Sequence, residues 1–295
     1  MILMTSYRLK KSSPRNARRK SNNKKERKFF FIFSEGTKTE PIYFSALKEG
    51  GHIRRDIQLN IMERTDRYQG HSNQLGVIED VAQYIEKINL IEDSSDIYDI
   101  SKRILDGKNI SYLDLYKYAN FLKDLFDKDI FNKELRDKID KREFIDAMKA
   151  IFNLSKYDPT YDEIWVVIDR DLESFKDYQF DNAIVLSKIY NFNLAITNPC
   201  FEFFLCLHLS DMKEYNIKKI KENPKYGNKT YVEKILDNLY MENGRRYKKS
   251  SYDTNILMKN LDKALDNLEY YETDIERIKN RVGSSIYGLL KEIIE

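Results

Sequence analysis

Two cysteines and three histidines in 295 residues leave little from which to build a disulfide framework or a zinc site. Cys200 and Cys206 stand in an apolar segment six apart, a spacing that does not bring two side chains onto one helix face. His52, His71 and His208 are scattered and show no His-x-x-x-His spacing. His208 ends a largely apolar stretch, so it reads as a packed or hydrogen-bonded histidine rather than a catalytic one. Every apolar run is interrupted within about ten residues, whereas a bilayer-crossing helix needs roughly 20. Met1-Ile2-Leu3-Met4 is too short for a signal-peptide core, and the expectation is a cytoplasmic protein with no membrane partner. There is no Gly-x-x-x-x-Gly-Lys-Ser/Thr loop, so nucleotide hydrolysis by this chain is unsupported.

What is present is an ordinary globular composition, 41% hydrophobic and 34% charged, long enough for one sizeable α/β core plus an accessory region. The net charge of +3 hides an asymmetry. Residues 1–28 carry 11 Lys and Arg against one acid, Glu26; of 51 basic and 48 acidic side chains this leaves 40 and 47, a body of charge −7. A basic, Ser/Asn-rich arm ahead of an acidic body fits a nucleic-acid contact, each neutralised phosphate releasing counterions. It fits equally a solvated tail, or one docked on the protein's own acidic surface.

Periodicity predicts strands over 29–34, 57–62, 164–169 and 193–197, and helices over 39–49, 74–89 and 178–191. This alternation argues for a parallel sheet with helices on both faces. Over 90–157 the pattern changes to apolar residues at helical intervals, among them Leu115, Leu122, Phe126, Leu135 and Phe144. That helical insertion, rich in Tyr, Phe and Leu, is expected either to dock a partner or form a homo-oligomer contact, or to pack on the sheet as a bundle. After a turn-rich break at Asn223-Pro224-Lys225-Tyr226-Gly227-Asn228, helices are predicted over 231–240, 256–271 and 282–294. The expected organisation is therefore a basic arm (1–28), an α/β core (29–89 and 158–210), the insertion (90–157) and a C-terminal helical region (211–295).

Two acidic signatures follow continuous apolar runs. Phe29 to Ser34 leads into Glu35-Gly36-Thr37-Lys38-Thr39-Glu40, and Ile164 to Ile168 into Asp169-Arg170-Asp171. Such runs read as strands buried on both faces, delivering acids to the sheet edge where α/β folds place their chemistry. If the backbone stays extended, Asp169 and Asp171 face one ion while Arg170 points elsewhere, with Glu35 beside them. Carboxylates of this kind suit Mg2+ or Mn2+. The other reading of the aspartates is a turn or cap. Gly36 is expected to free the backbone for a tight turn. Thr37-x-x-Glu40 reads as a capping box, with Thr37 or Thr39 as the cap, which favours a structural over a catalytic role for Glu40 and leaves the two open. Lys38, at a helix N-terminus, is either a phosphate ligand or solvated. Glu202 lies in an apolar helix start and needs a backbone amide, a basic residue or the metal cluster as partner, as a site residue or a structural anchor.

Four segments carry a resemblance: Phe33 to Phe44, Ile164 to Asp171, Asn198 to His208, and an echo at Ser284 to Leu290. In this order they resemble the RloB-like family, a branch of the Toprim proteins, relative to whose pattern the stretch 90–157 is extra. The resemblance implies a Toprim-like fold and a metal-dependent endonuclease with Glu35, Asp169 and Asp171 as metal ligands. Glu202 and Lys38 join them as candidate catalytic residues, and the cofactor implied is Mg2+ or Mn2+. It further implies bacterial antiphage defence by abortive infection, beside an ABC- or AAA-type ATPase. The substrate, DNA or a structured RNA such as tRNA, is left open. One alternative is a non-catalytic nucleic-acid-binding subunit, against which the intact Glu35, Asp169 and Asp171 argue. Primase or topoisomerase chemistry is the other, for which the chain offers no zinc ligands and little room.

Overall fold

The computed structural model describes residues 27–62, 74–89 and 157–294. The basic arm, apart from Arg27 and Lys28, and the insertion, apart from Tyr157, lie outside these residues.

Four strands form the body of the sheet: β1 (Lys28–Ser34), β2 (Ile57–Met62), β3 (Glu163–Asp169) and β4 (Asn193–Asn198). They run parallel in the order β2-β1-β3-β4, and a short antiparallel β7 (Gly283–Ser284) is added beside β4. The aromatic and β-branched runs of β1 and β3 arise because alternate side chains enter different cores. Phe30, Ile32, Trp165 and Val167 face one way; Phe31, Phe33, Ile164, Val166 and Ile168 face the other. Each such side chain, fully buried, contributes about 1.5–3 kcal/mol relative to exposure. Register follows from these runs, with Ile32 opposite Ile61 on one side and Trp165 on the other.

One face is covered by α2 (Gln74–Asn89) and α3 (Asp177–Tyr190). The other takes α1 (Thr39–Glu49), α4 (Phe201–Leu207), α6 (Tyr231–Glu242), α8 (Leu261–Leu268) and α9 (Ile286–Ile293), with Tyr43, Phe204, Leu236, Leu268 and Leu290 in a single cluster. The fold is thus α/β, a mostly parallel five-stranded sheet with helices on both faces as expected. The C-terminal helices share the core of α1 and α4. Among the described residues no helix is long and apolar enough to cross a membrane.

Two predicted helices differ in detail. The stretch 256–271 divides into α7 (Asn255–Met258) and α8 because the Asn260 side-chain amide takes the Ile256 carbonyl at 2.7 Å, while its backbone N–H bonds Leu257 instead. The stretch 282–294 begins as β7 and becomes helical only at Ile286. Between α5 (Ile217–Glu222) and α6, the turn-rich break is a hairpin of β5 (Lys225–Tyr226) and β6 (Lys229–Thr230), and Gly227, at φ +67°, supplies the positive φ of its two-residue connection.

Candidate functional site: a carboxylate cluster at the strand ends

β1 is followed in sequence by β2 on one side and β3 on its other side, so the strand order reverses between β1 and β3. The carboxyl ends of two such strands open a crevice at which α/β sheets bind ligands. Glu35 and Asp169 stand there. The Glu35 N–H extends the ladder to the Val167 carbonyl at 3.0 Å, and the Asp169 N–H donates to Glu35 Oε2 at 3.3 Å. Asp169 Oδ1 accepts from the Phe201 N–H at 2.8 Å, tying the end of β3 to the first turn of α4.

Two more acids join them. Glu40, in the first turn of α1, is 5% exposed, and its Oε2 has no hydrogen-bond partner. Burial, aided by the charges of Glu202 and Glu35, pushes its carboxyl up to about 7. Burial likewise holds Asp169 well above the usual carboxylate range, with Glu35, Glu40 and Glu202 adding to the effect and the Phe201 N–H opposing it. Glu202, on α4, is buried and accepts at Oε1 from Tyr247 Oη and Lys249 Nζ, each at 3.1 Å. The loop carrying these residues is pinned by the Tyr252 hydroxyl, which donates to the Thr39 carbonyl at 2.6 Å.

The expected capping box is not formed. The helix begins at Thr39 with Lys38 as N-cap and no side-chain cap, so the Glu40 carboxylate is free to lie over Gly36. Nor is Gly36 at a positive φ; its lack of a side chain serves space, since a Cβ there would stand 2.1 Å from Glu40 Oε2. Lys38 is exposed. β3 ends at Asp169, and Asp171 is exposed with its carboxylate engaged locally by the Glu173 N–H at 2.9 Å and the Ser174 hydroxyl at 3.0 Å. Arg170 does point elsewhere: fully buried, it pairs with Asp177 and lies over the Phe175 and Phe180 rings. His208 is packed as expected, bonded to the Tyr43 hydroxyl and the Phe204 carbonyl, and burial lowers it to about 4. Both cysteines are buried and free.

Glu35, Glu40, Asp169 and Glu202 are therefore brought together, whereas Lys38 and Asp171 lie at the exposed margin. Among the described residues no group of three or more His, Cys, Asp or Glu side chains could hold a metal ion as the side chains stand. The donor chemistry nonetheless suits a hard divalent cation: all donors are carboxylate oxygens, one buried oxygen is unpartnered, and burial, with mutual repulsion adding to it, raises two of the acids. Sequence reasoning missed Glu40 as a member, as well as Tyr247 and Lys249, which lie in a polar loop with no periodic signal.

The family model of RloB-like proteins matches residues 30–293, nearly the whole chain. The chain belongs to the RloB-like family. The RloB-like match takes in all four clustered carboxylates and the loop behind Glu202. Comparison with curated proteins and with solved structures gives no match.

Proposed function

We propose that this RloB-like protein is a metal-dependent endonuclease of Toprim type that hydrolyses phosphodiester bonds of DNA or of a structured RNA such as tRNA. The observation that carries the reading is the meeting of Glu35, Glu40 and Asp169 at the β1/β3 switch point, with Glu40 Oε2 buried and unpartnered. These three carboxylates would hold Mg2+ or Mn2+, and Asp171 borders them. When bound, the ion supplies charge neutralisation and an acidified water. The rest falls to the chain's own atoms. The Phe201 N–H fixes Asp169 Oδ1, and the Asp169 N–H orients Glu35 Oε2. Tyr247 and Lys249 hold Glu202 in place, and exposed Lys38 offers an ammonium to a phosphate at the margin.

The setting proposed, which rests on the likeness to the RloB-like family, is cytoplasmic antiphage defence with an ABC- or AAA-type ATPase, this chain having no phosphate-binding loop of its own. The absence of a formed metal cage among the described residues favours a second reading, a non-catalytic nucleic-acid-binding subunit. The test is purified protein, with and without an ATPase encoded beside it, incubated with Mg2+ or Mn2+ and a mixed DNA and total-RNA pool. Cleavage that needs the ion and is lost in Asp169→Asn supports the nuclease. Absence of cleavage in every combination, with nucleic acid bound, supports the second reading.

A further inference from the structure

Behind Glu202 lies a cavity of about 860 Å3 formed by the β5/β6 hairpin, the start of α6 and the loop 246–249. Its size is that of a small-ligand site rather than a surface dimple. Five cations line it: Lys225, Lys229, Arg246, Lys248 and Lys249. Only two acids do, Glu233 and Asp237, so the lining carries a net charge of +3 on a body whose balance is acidic. The acids are committed: Asp237 serves Lys229 and Arg246, and Glu233 meets Lys249 Nζ at 2.7 Å. Among the described residues no ion pair engages Lys225 or Lys248. Beside Lys225, Tyr226 is 41% exposed, with the Lys234 ammonium 4.8 Å from its ring centre. Lysines interleaved with an exposed aromatic are the elements of a single-strand site, in which cations track phosphates and a ring stacks a base.

The cavity also touches the carboxylate cluster. Lys249 and Tyr247 line it and both bond Glu202 Oε1, whose charge reaches Glu40 and Asp169.

We propose that this cavity binds the sugar-phosphate backbone of a single-stranded stretch of nucleic acid, Lys225 and Lys248 contacting phosphates and Tyr226 stacking a base, and so feeds the strand to the carboxylate cluster. The proposal rests on the nucleic-acid part of the function above and not on cleavage.

The test uses the full-length protein in chelator, with fluorescein-labelled single-stranded 12-nucleotide DNA and RNA of mixed sequence followed by anisotropy, and inorganic phosphate as competitor. Lys225→Glu with Lys248→Glu is expected to raise Kd at least tenfold, and to reduce the slope of log Kd against log salt by about 1.4, two contacts at roughly 0.7 each on a single strand. Tyr226→Ala should raise Kd by about 5- to 150-fold and leave the slope unchanged, the mark of a lost stack. All these positions are exposed, so melting temperatures should hold. DNA and RNA arms separate the two strand types, and displacement of either by millimolar phosphate would indicate a small-anion site and overturn the proposal. So would a Kd and slope unchanged by the double substitution, or a wild type that binds neither strand. If binding responds as expected but Mg2+ or Mn2+ yields no cleavage, the nuclease reading fails and the cavity stands. If the wild type cleaves but the double substitution leaves the slope unchanged, the nuclease reading stands and the cavity proposal fails.

Discussion

The Glu40 carboxylate lies on Gly36 so closely that a methyl group there would stand 2.1 Å from Oε2. The neighbouring acid occupies the space a side chain would need, and Gly36 is not among the glycines at positive φ. Gly36→Ala should therefore fold with nearly unchanged melting temperature, displace Glu40, and lower metal-dependent cleavage by about tenfold or more, a positioning loss of ~1.4 kcal/mol. Cleavage rate beside a melting curve checks this; full activity would mean that Glu40 is not part of the site.

Glu40 also sets a pH dependence. Its carboxyl is raised from 4.5 to about 7, so folding favours the protonated form. That contribution is fully present below pH 4.5 and is lost as pH rises through about 7. Asp169 is raised in the same direction. In chelator, stability should fall between about pH 5 and pH 8, and Glu40→Gln should flatten the fall and be more stable at pH 8 by on the order of 1–3 kcal/mol. Denaturant melts across this range decide it. A substitution that destabilises at pH 8 would show that a partner already neutralises Glu40.

The two aspartates should separate in the same conditions. Asp169→Asn relieves repulsion with Glu35, Glu40 and Glu202, and is expected to stabilise the metal-free protein at pH 8. Asp171→Ala removes acceptors for the Glu173 N–H and the Ser174 hydroxyl, and should cost about 0.5–1 kcal/mol. Thermal melts in chelator read both; equal effects would contradict the difference in their surroundings.

His208 behaves in the opposite sense to Glu40. Lowered from 6.5 to about 4 by burial, it contributes stability above pH 6.5 that is lost as pH falls through about 4. Its ring should still be neutral at pH 5.5 by nuclear magnetic resonance, and His208→Leu, which strands the Tyr43 hydroxyl, should cost about 1–3 kcal/mol. A protonated ring at pH 5.5 would indicate access to water.

Much of the framework is readable in the sequence because β1 and β3 are buried on both faces, and two-sided burial writes itself as an unbroken apolar run ending at Glu35 and Asp169. Glu40 is harder to read. Thr-x-x-Glu spells both a capping box and an acid turned inward, and only the N-cap position of Lys38 separates them. A same-ion geometry for Asp169 and Asp171 requires backbone extended through Asp171, whereas β3 ends at Asp169, the Arg170 N–H makes the last bond to β4 at the Thr197 carbonyl, and the chain turns from Leu172. The Tyr247 contact with Glu202 spans 45 residues and joins a loop to a helix, so no local period encodes it. Asn260 divides a continuous helical pattern through one side-chain hydrogen bond, a choice that apolar spacing does not record.

The central claim, that Glu35, Glu40 and Asp169 form a divalent-cation site, is tested most directly by calorimetric titration of Mn2+ into the full-length protein at pH 7. Saturable binding is predicted, with proton release that makes the measured heat depend on the buffer, since two of the acids are raised. The signal should vanish in Asp169→Asn. No saturable heat, or binding unchanged in Glu35→Gln, Glu40→Gln and Asp169→Asn alike, would contradict it.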